Sequence, residues 1–457
     1  MKLGDSMMYD KIFEDFLEEI QKETYATKDE IALVTKEMLN ILKDNLDATP
    51  EELVEKVIVS NIDQLEEIKN KYPVPGYTVG VNVGNINVKL LGGDIDSLGR
   101  KMPDDALFDI ASTTKFYTQV VAYNLIKEGL FSFDTKIKDL DPRFINVEDL
   151  TVGDVLTFTT EFRTPGRISD NSTIEEAVNC LYNANVVETG KYNYNDIGMM
   201  LMKELMENVT GSSYSDLVDK YIIKKFDLMD THLVVPANKI ERVTGSANNS
   251  LGVVNDPNAI ALGGYSGHAG IVVSNDDLIK LGKAYQTGEL IPTDMMKDTY
   301  THGVKDNRGV MGNTYTPHPD GVDGSFVDKL EPRTNFCIQG STRVNVNIGM
   351  NSVSTILFNP AGMSIEQAKE EEAKINEARA LKGQNPLSLV KHFRFERDGQ
   401  IKEYNLVDAR QMLPLGGSIE PVTTSNAILA LRLRFLNKVI KEYDKNYDKK
   451  INIQRSM

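Results

Sequence analysis

Apolar positions between residues 9 and 70 recur at helical spacing. Ile12, Phe13, Phe16 and Ile20 make one stripe; Ile31, Val34, Met38 and Leu42 make a second. Each collects on one face of a 3.6-residue period. Thr49-Pro50-Glu51-Glu52 predicts a third helix start: a capping hydroxyl, proline in the first turn, and a glutamate placed to complete a capping box. That helix is expected to run to about Lys69. At Lys71-Tyr-Pro-Val-Pro-Gly76 the pattern breaks, and the period changes to two. Tyr77, Val79, Val81 and Val83 alternate, a Gly-Asn turn follows, and Ile86, Val88 and Leu90 resume. This predicts an antiparallel hairpin. A helical pattern follows Ser112 through Val120, Val121 and Leu125, and a helix-like, loop-rich tract extends to about residue 290. Strand character returns from Phe326 to Phe358, with Val344, Val346 and Ile348, then Val353, Thr355 and Leu357, alternating. Ser364-Ile-Glu-Gln367 opens a charged helix to about Lys382, expected to be a solvated face. Leu406–Pro414 is short and mixed, and Asn426–Tyr443 predicts a strongly amphipathic final helix.

Strands early and late, with helices between and at both ends, predict an α+β fold in which both strand groups join one antiparallel sheet. The expected division is an N-terminal helical extension at residues 1–72 and a main domain at 73–457. Within the latter, a helical subdomain occupies about 135–325 and a charged helical insertion about 361–385. The extension is expected to brace the main domain; the alternative is a dimerisation or partner-binding module. Oligomeric state is left open.

The formal net charge is −16. It argues against nucleic acid as a main partner and against an anionic membrane surface. No apolar run approaches the roughly 20 residues of a membrane span. The N-terminal stretch leads into Asp10, Glu14, Asp15, Glu18 and Glu19 without the apolar core of a signal peptide, so the expected compartment is cytoplasmic. Cys180 and Cys337 lie far apart and read as buried free thiols. His232, His268, His302, His318 and His392 form no ligand cluster. No metal or cofactor is expected.

The candidate chemistry begins at Leu107-Phe-Asp-Ile-Ala-Ser112-Thr-Thr-Lys115. If Ser112 opens the following helix, Lys115 sits one turn later on the same face. A desolvated lysine with a lowered pKa can take a serine proton, and a helix N-terminus aims N–H groups at a developing oxyanion. The plainer alternative is a serine that only caps a helix. Gly264-Tyr-Ser266-Gly-His268 has histidine where the nucleophile elbow G-x-S-x-G needs its last glycine, which excludes the α/β-hydrolase reading. A histidine between glycines in a tight turn is expected to hydrogen-bond backbone.

Local patterns in their order now matter. Asp105-Ala-Leu-Phe-Asp-Ile-Ala-Ser112-Thr-Thr-Lys115 resembles the first motif of the serine β-lactamase-related family of class C β-lactamases, low-molecular-weight penicillin-binding proteins, D-aminopeptidases and carboxylesterases. Leu125-Ile-Lys-Glu-Gly-Leu130 and Leu150-Thr-Val-Gly-Asp-Val-Leu156 continue the match. Tyr194-Asn-Asp196 is similar to the second motif in a Tyr-x-Asp form. Val254-Asn-Asp-Pro-Asn-Ala259 and Gly263-Gly-Tyr-Ser-Gly-His268-Ala-Gly270 resemble a stretch of esterase-like members. The resemblance covers about residues 74–360 and implies a β-lactamase/transpeptidase-like fold. It implies Ser112 as nucleophile, Lys115 as base and Tyr194 as the proton shuttle to the leaving group. Asp196 would hold Lys115 or a substrate amide. Gln339, Gly340 and Ser341 would line the substrate, with the N–H groups of Ser112 and Ser341 as oxyanion hole.

The sequence departs from the family at the third motif. Phe336-Cys-Ile338-Gln339-Gly340-Ser341-Thr342-Arg343 has isoleucine where Lys or His is usual, and Arg343 replaces a usual glycine. Phe158 stands where many members have His. The expected function is hydrolysis of a small-molecule ester, amide or peptide, as an esterase or amidase rather than a true β-lactamase. The alternative is a catalytically weak binding or scaffold protein that uses its N-terminal helices as an interface. Pocket shape is left to loops such as 159–190 and 301–325.

Overall fold

The computed structural model describes residues 6–24, 26–71, 75–96, 99–147, 149–190, 193–244, 252–291, 336–342, 344–349, 351–358, 365–397, 400–407 and 420–455. The expected strand start near Phe326, the loop at 301–325, Arg343, and residues 408–414 of the short mixed tract lie outside these.

Four helices open the chain: α1 (Ser6–Glu23), α2 (Lys28–Asp44), α3 (Pro50–Val59) and α4 (Ile62–Lys71). Thr27 and Thr49 each close a full capping box, with Glu30 and Glu52 returning the bond. The helix expected to reach Lys69 breaks at Ser60 and Asn61. The C-terminal helix Glu420–Arg455, longer at both ends than the predicted Asn426–Tyr443, packs at this break. Its Arg432 reaches across to bond Ser60 Oγ and Asn61 Oδ1.

The central sheet is antiparallel. Its order is β2 (Ile86–Gly93), β1 (Gly76–Val83), Ser352–Phe358, Val344–Ile348 and Phe336–Gly340. The predicted hairpin pairs in register, Val81 opposite Val88 and Val79 opposite Leu90. Its turn places Gly84 at φ +58, where a side chain would be strained. The late strands join the early ones through β1, with Val79 opposite Ile356. Alternation then divides the strands between two cores. Val79, Val81, Ile356 and Phe358 pack with α1–α4 and the C-terminal helix. Val344, Val346, Val353 and Leu357 pack with the helical subdomain on the other face. The sheet is thus covered on both sides, and its end strand Phe336–Gly340 runs beside the Ser112 turn.

The charged insertion is more than a helix. Ile365–Leu381 has only Ala368 buried, as a solvated face requires. It is followed by a hairpin, Val390–Arg397 with Gln400–Val407, that the sequence reading does not anticipate. The cysteines also differ from expectation: neither forms a disulfide among the described residues, but only Cys337 is buried, and Cys180 is partly exposed.

Candidate active site

A three-residue strand, β3 (Leu107–Asp109), delivers the chain to Ser112. The serine does not open an α-helix directly. It sits in a 3-10 turn, Ala111–Thr113, and α5 (Thr114–Lys127) begins after it. Ala111, just before the serine, is held at φ +43. A non-glycine residue stays there only when its surroundings impose it. The buried Asp109 carboxylate imposes it, accepting the Ala111 N–H at 2.8 Å and the Asn255 N–H at 2.7 Å.

Burial pushes the Asp109 carboxyl up to about 6, against those two N–H donors. The folded state therefore binds a proton more readily than the unfolded one between about pH 4 and pH 6. Stability contributed by this group is present below that window and lost as pH rises through it, by about 3 kcal/mol. Melting curves of wild type and Asp109→Asn across that window are expected to show wild type losing ground to the variant as pH rises.

Lys115 is buried and its Nζ donates to Ser112 Oγ at 2.8 Å. The same nitrogen lies 2.7 Å from Asp196 Oδ1 and 4.8 Å from the centroid of the Tyr194 ring. Burial alone would lower its pKa, but the Asp196 charge, with Tyr194, outweighs it and holds Lys115 above the usual lysine range. This corrects the expectation of a lowered lysine: the group resting on Ser112 is an ammonium. Asp196 is held below the usual aspartate range for the matching reason: desolvation opposes ionisation, but the Lys115 charge outweighs it.

Asp196 is free for this because its neighbour does the capping. It stands at the N-cap of the helix Ile197–Thr210 with no side-chain capping bond, while Asn195 Oδ1 accepts the Gly198 N–H at 3.1 Å. Tyr194, half exposed, stands just before that helix rather than on it. Its ring stacks on Phe158 at 5.4 Å between centroids. Phe158 is itself at φ +54, with its carbonyl accepting the Asn193 N–H. The phenylalanine that departs from the family pattern therefore supports the tyrosine.

From the end strand, Gly340 comes against the serine turn. A Cβ built there would lie 2.3 Å from the Ile110 carbonyl oxygen and 3.2 Å from Thr113 Oγ1. Only glycine permits that approach. Thr342 Oγ1 fastens the strand end to the Asp109 carbonyl at 2.6 Å, and Ser341 between them is exposed. Gln339 is partly buried, with Nε2 3.7 Å from Cys337 Sγ. Ile338 shares the face of Gly340 and is buried in the core, so it presents no cation to the cleft. Gly340→Ala is expected to push the strand from the turn. Turnover should fall on the order of 100-fold, as when an oxyanion donor is lost, and stability should fall by about 1–3 kcal/mol. Steady-state rates and melting curves check both.

His268 is buried and does not bond backbone as expected. Its Nε2 lies 2.9 Å from Asp256 Oδ1. Asp256 also caps the short helix Pro257–Ala261 through the N–H groups of Asn258 and Ala259. Sequence reasoning passes over Asp109 and Asp256 altogether. Asp-Pro at Asp256-Pro257, a helix-start signal, marks one of them.

A family model described as Beta-lactamase matches residues 58–368. A class C β-lactamase from Rhodobacter sphaeroides superposes with TM-score 0.51 at 19% identity, over 67% of this chain and 95% of that one. FmtA from Staphylococcus aureus gives TM-score 0.54 at 16% identity, over 79% and 97%. EstCE1, described as a hydrolase with promiscuous acyltransferase activity, gives 0.53 at 14%, over 68% and 95%. No curated protein matches the chain. At such identities the superpositions show a β-lactamase/transpeptidase-like fold. The family match spans more than half of the residues, and the chain belongs to the Beta-lactamase family.

Proposed function

We propose that the protein is a serine hydrolase acting on a small-molecule ester, amide or peptide through an acyl-enzyme on Ser112. The observation that carries this is one buried nitrogen serving two partners: Lys115 Nζ is 2.8 Å from Ser112 Oγ and 2.7 Å from Asp196. In the resting arrangement the ammonium orients the serine and favours negative charge on its neighbours. A Lys115 that has lost its proton to solvent takes the serine proton as Oγ bonds to the carbonyl carbon. Tyr194 then passes a proton to the departing alkoxide or amine as its bond to carbon breaks. Water, deprotonated by the same pair, releases the acid and restores Ser112. The N–H groups of Ser112 and Ser341 are the assigned oxyanion donors.

Ester or amide hydrolysis is favoured over β-lactam hydrolysis because Ile338 leaves no cation on the end strand to meet a substrate carboxylate. Side-by-side rates with p-nitrophenyl acetate and a chromogenic cephalosporin test this; faster turnover of the cephalosporin contradicts it. That same isoleucine favours a second reading, a catalytically weak binding module. The cytoplasm is the compartment we expect, and fractionation of expressing cells checks it.

A further inference from the structure

His268 and Asp256 lie behind the residues assigned to the chemistry. One polar atom from each of Asp196, Asp256 and His268 can be chosen so that all three lie within 4.8 Å of one another. The imidazole is 1% exposed, and its Nδ1 has no hydrogen-bond partner among the described residues. A buried ring nitrogen without a hydrogen-bond partner is costly, while the neighbouring carboxylates favour the protonated ring.

Its loop is clamped between the two elements that carry the reacting groups. The Gly267 carbonyl accepts from Thr118 Oγ1, one turn beyond Lys115 on α5. A Cβ on Gly267 would lie 2.0 Å from the Met199 carbonyl, in the first turn after Asp196. Ile271 N–H reaches Thr114 Oγ1 at 3.3 Å. Any shift of His268 is therefore a shift against both helices. The titratable and charged groups on the elements packed around it are Lys115, Asp196, Tyr194, Asp256, the buried Asp109 beside Asn255, and Lys203, which is paired with Glu204 and Glu207.

We propose that His268, anchored by Asp256, is a positioning residue for the Lys115–Asp196 pair. Its imidazole fixes the Asp196 carboxylate in the orientation that aims Lys115 at Ser112. Its charge state sets how firmly Asp196 holds the Lys115 proton. The catalytic consequence rests on the hydrolase reading; the coupling to Asp196 does not.

The test has two arms. In the first, the His268 imidazole is titrated by NMR in wild type, Asp196→Asn and Ser112→Ala. Loss of the facing carboxylate is expected to move the midpoint down in Asp196→Asn and leave it in place in Ser112→Ala. An unmoved midpoint in Asp196→Asn overturns the proposal whatever the activity. In the second arm, kcat and KM for p-nitrophenyl acetate are followed against pH in His268→Ala and His268→Gln. His268→Ala is expected to lose on the order of tenfold to a hundredfold in kcat with KM little changed. His268→Gln keeps a donor for Asp256 and should recover melting temperature, but the acid limb of its kcat/KM profile should move to higher pH. Variants that only melt earlier, with wild-type kcat and profile, make His268 structural and overturn the proposal. A wild type that shows the coupling but no turnover removes the hydrolase reading and leaves the coupling standing.

Discussion

Ser112→Ala is expected to lose turnover on the order of 10,000-fold or more while melting close to wild type. The two halves of this result have separate causes. In the proposed mechanism the Ser112 hydroxyl forms the acyl bond, so its loss leaves binding and the oxyanion donors without a nucleophile. Stability is spared because Lys115, the buried charge that the hydroxyl touches, remains paired with Asp196 at 2.7 Å. No buried charge is orphaned. Lys115→Met is the less informative variant, since it strips Asp196 of its partner and mixes stability with chemistry.

Loss of α1–α4 is expected to have the largest effect on stability. These helices share one core with the outward face of the sheet and with the C-terminal helix: Phe16, Ile31, Val54 and Val57 pack with Val79, Phe358, Leu429 and Phe435. Removing residues 1–70 uncovers that face, so the shortened chain should lose stability or solubility far more than chemistry. Equal melting with lost turnover contradicts this. Arg432 makes the same point with a single residue. It is 5% exposed and binds the Val34 carbonyl, Ser60, Asn61 and the Glu37 carboxylate. Burial pulls its guanidinium down, and Glu37 opposes that pull. Arg432→Ala removes a buried guanidinium that ties α2 and the α3–α4 junction to the C-terminal helix, leaves the buried Asn61 Oδ1 without this donor, and is expected to cost about 1–3 kcal/mol, read from denaturant melts.

What the sequence discloses divides along the range of the interactions. The hairpin is legible because period-two alternation and a Gly-Asn turn are local, and it pairs in the expected register. The Ser112–Lys115 contact is legible because three residues along a helical turn bring two side chains together. The Tyr194–Asp196 motif points to the cleft and to Asp196 as a partner of Lys115; what it does not disclose is the consequence, a lysine raised instead of lowered. Interactions distant in sequence leave no such mark. Nothing near Ser60 announces the Arg432 contacts at the break between α3 and α4. Asp109 and Asp256 pass unremarked in the sequence, since only the fold brings Asn255 to the one and His268 and Asp196 to the other. Phe158 reads as a lost histidine, yet its left-handed backbone and its stack on Tyr194 make it a support. The hairpin at 390–407 did carry a signal: Asp398-Gly399 between alternating runs is a short-range turn pattern, obscured by the charge of the flanking strands.

The central claim is that Ser112 is an activated nucleophile, and intact-protein mass tests it most directly. Wild type and Ser112→Ala are exposed separately to a fluorophosphonate and to a penicillin. The account predicts a phosphonyl adduct on wild type, less or no penicilloyl adduct, and neither on Ser112→Ala. Folded wild-type protein that gains no mass from either reagent, or an adduct that persists in Ser112→Ala, contradicts it.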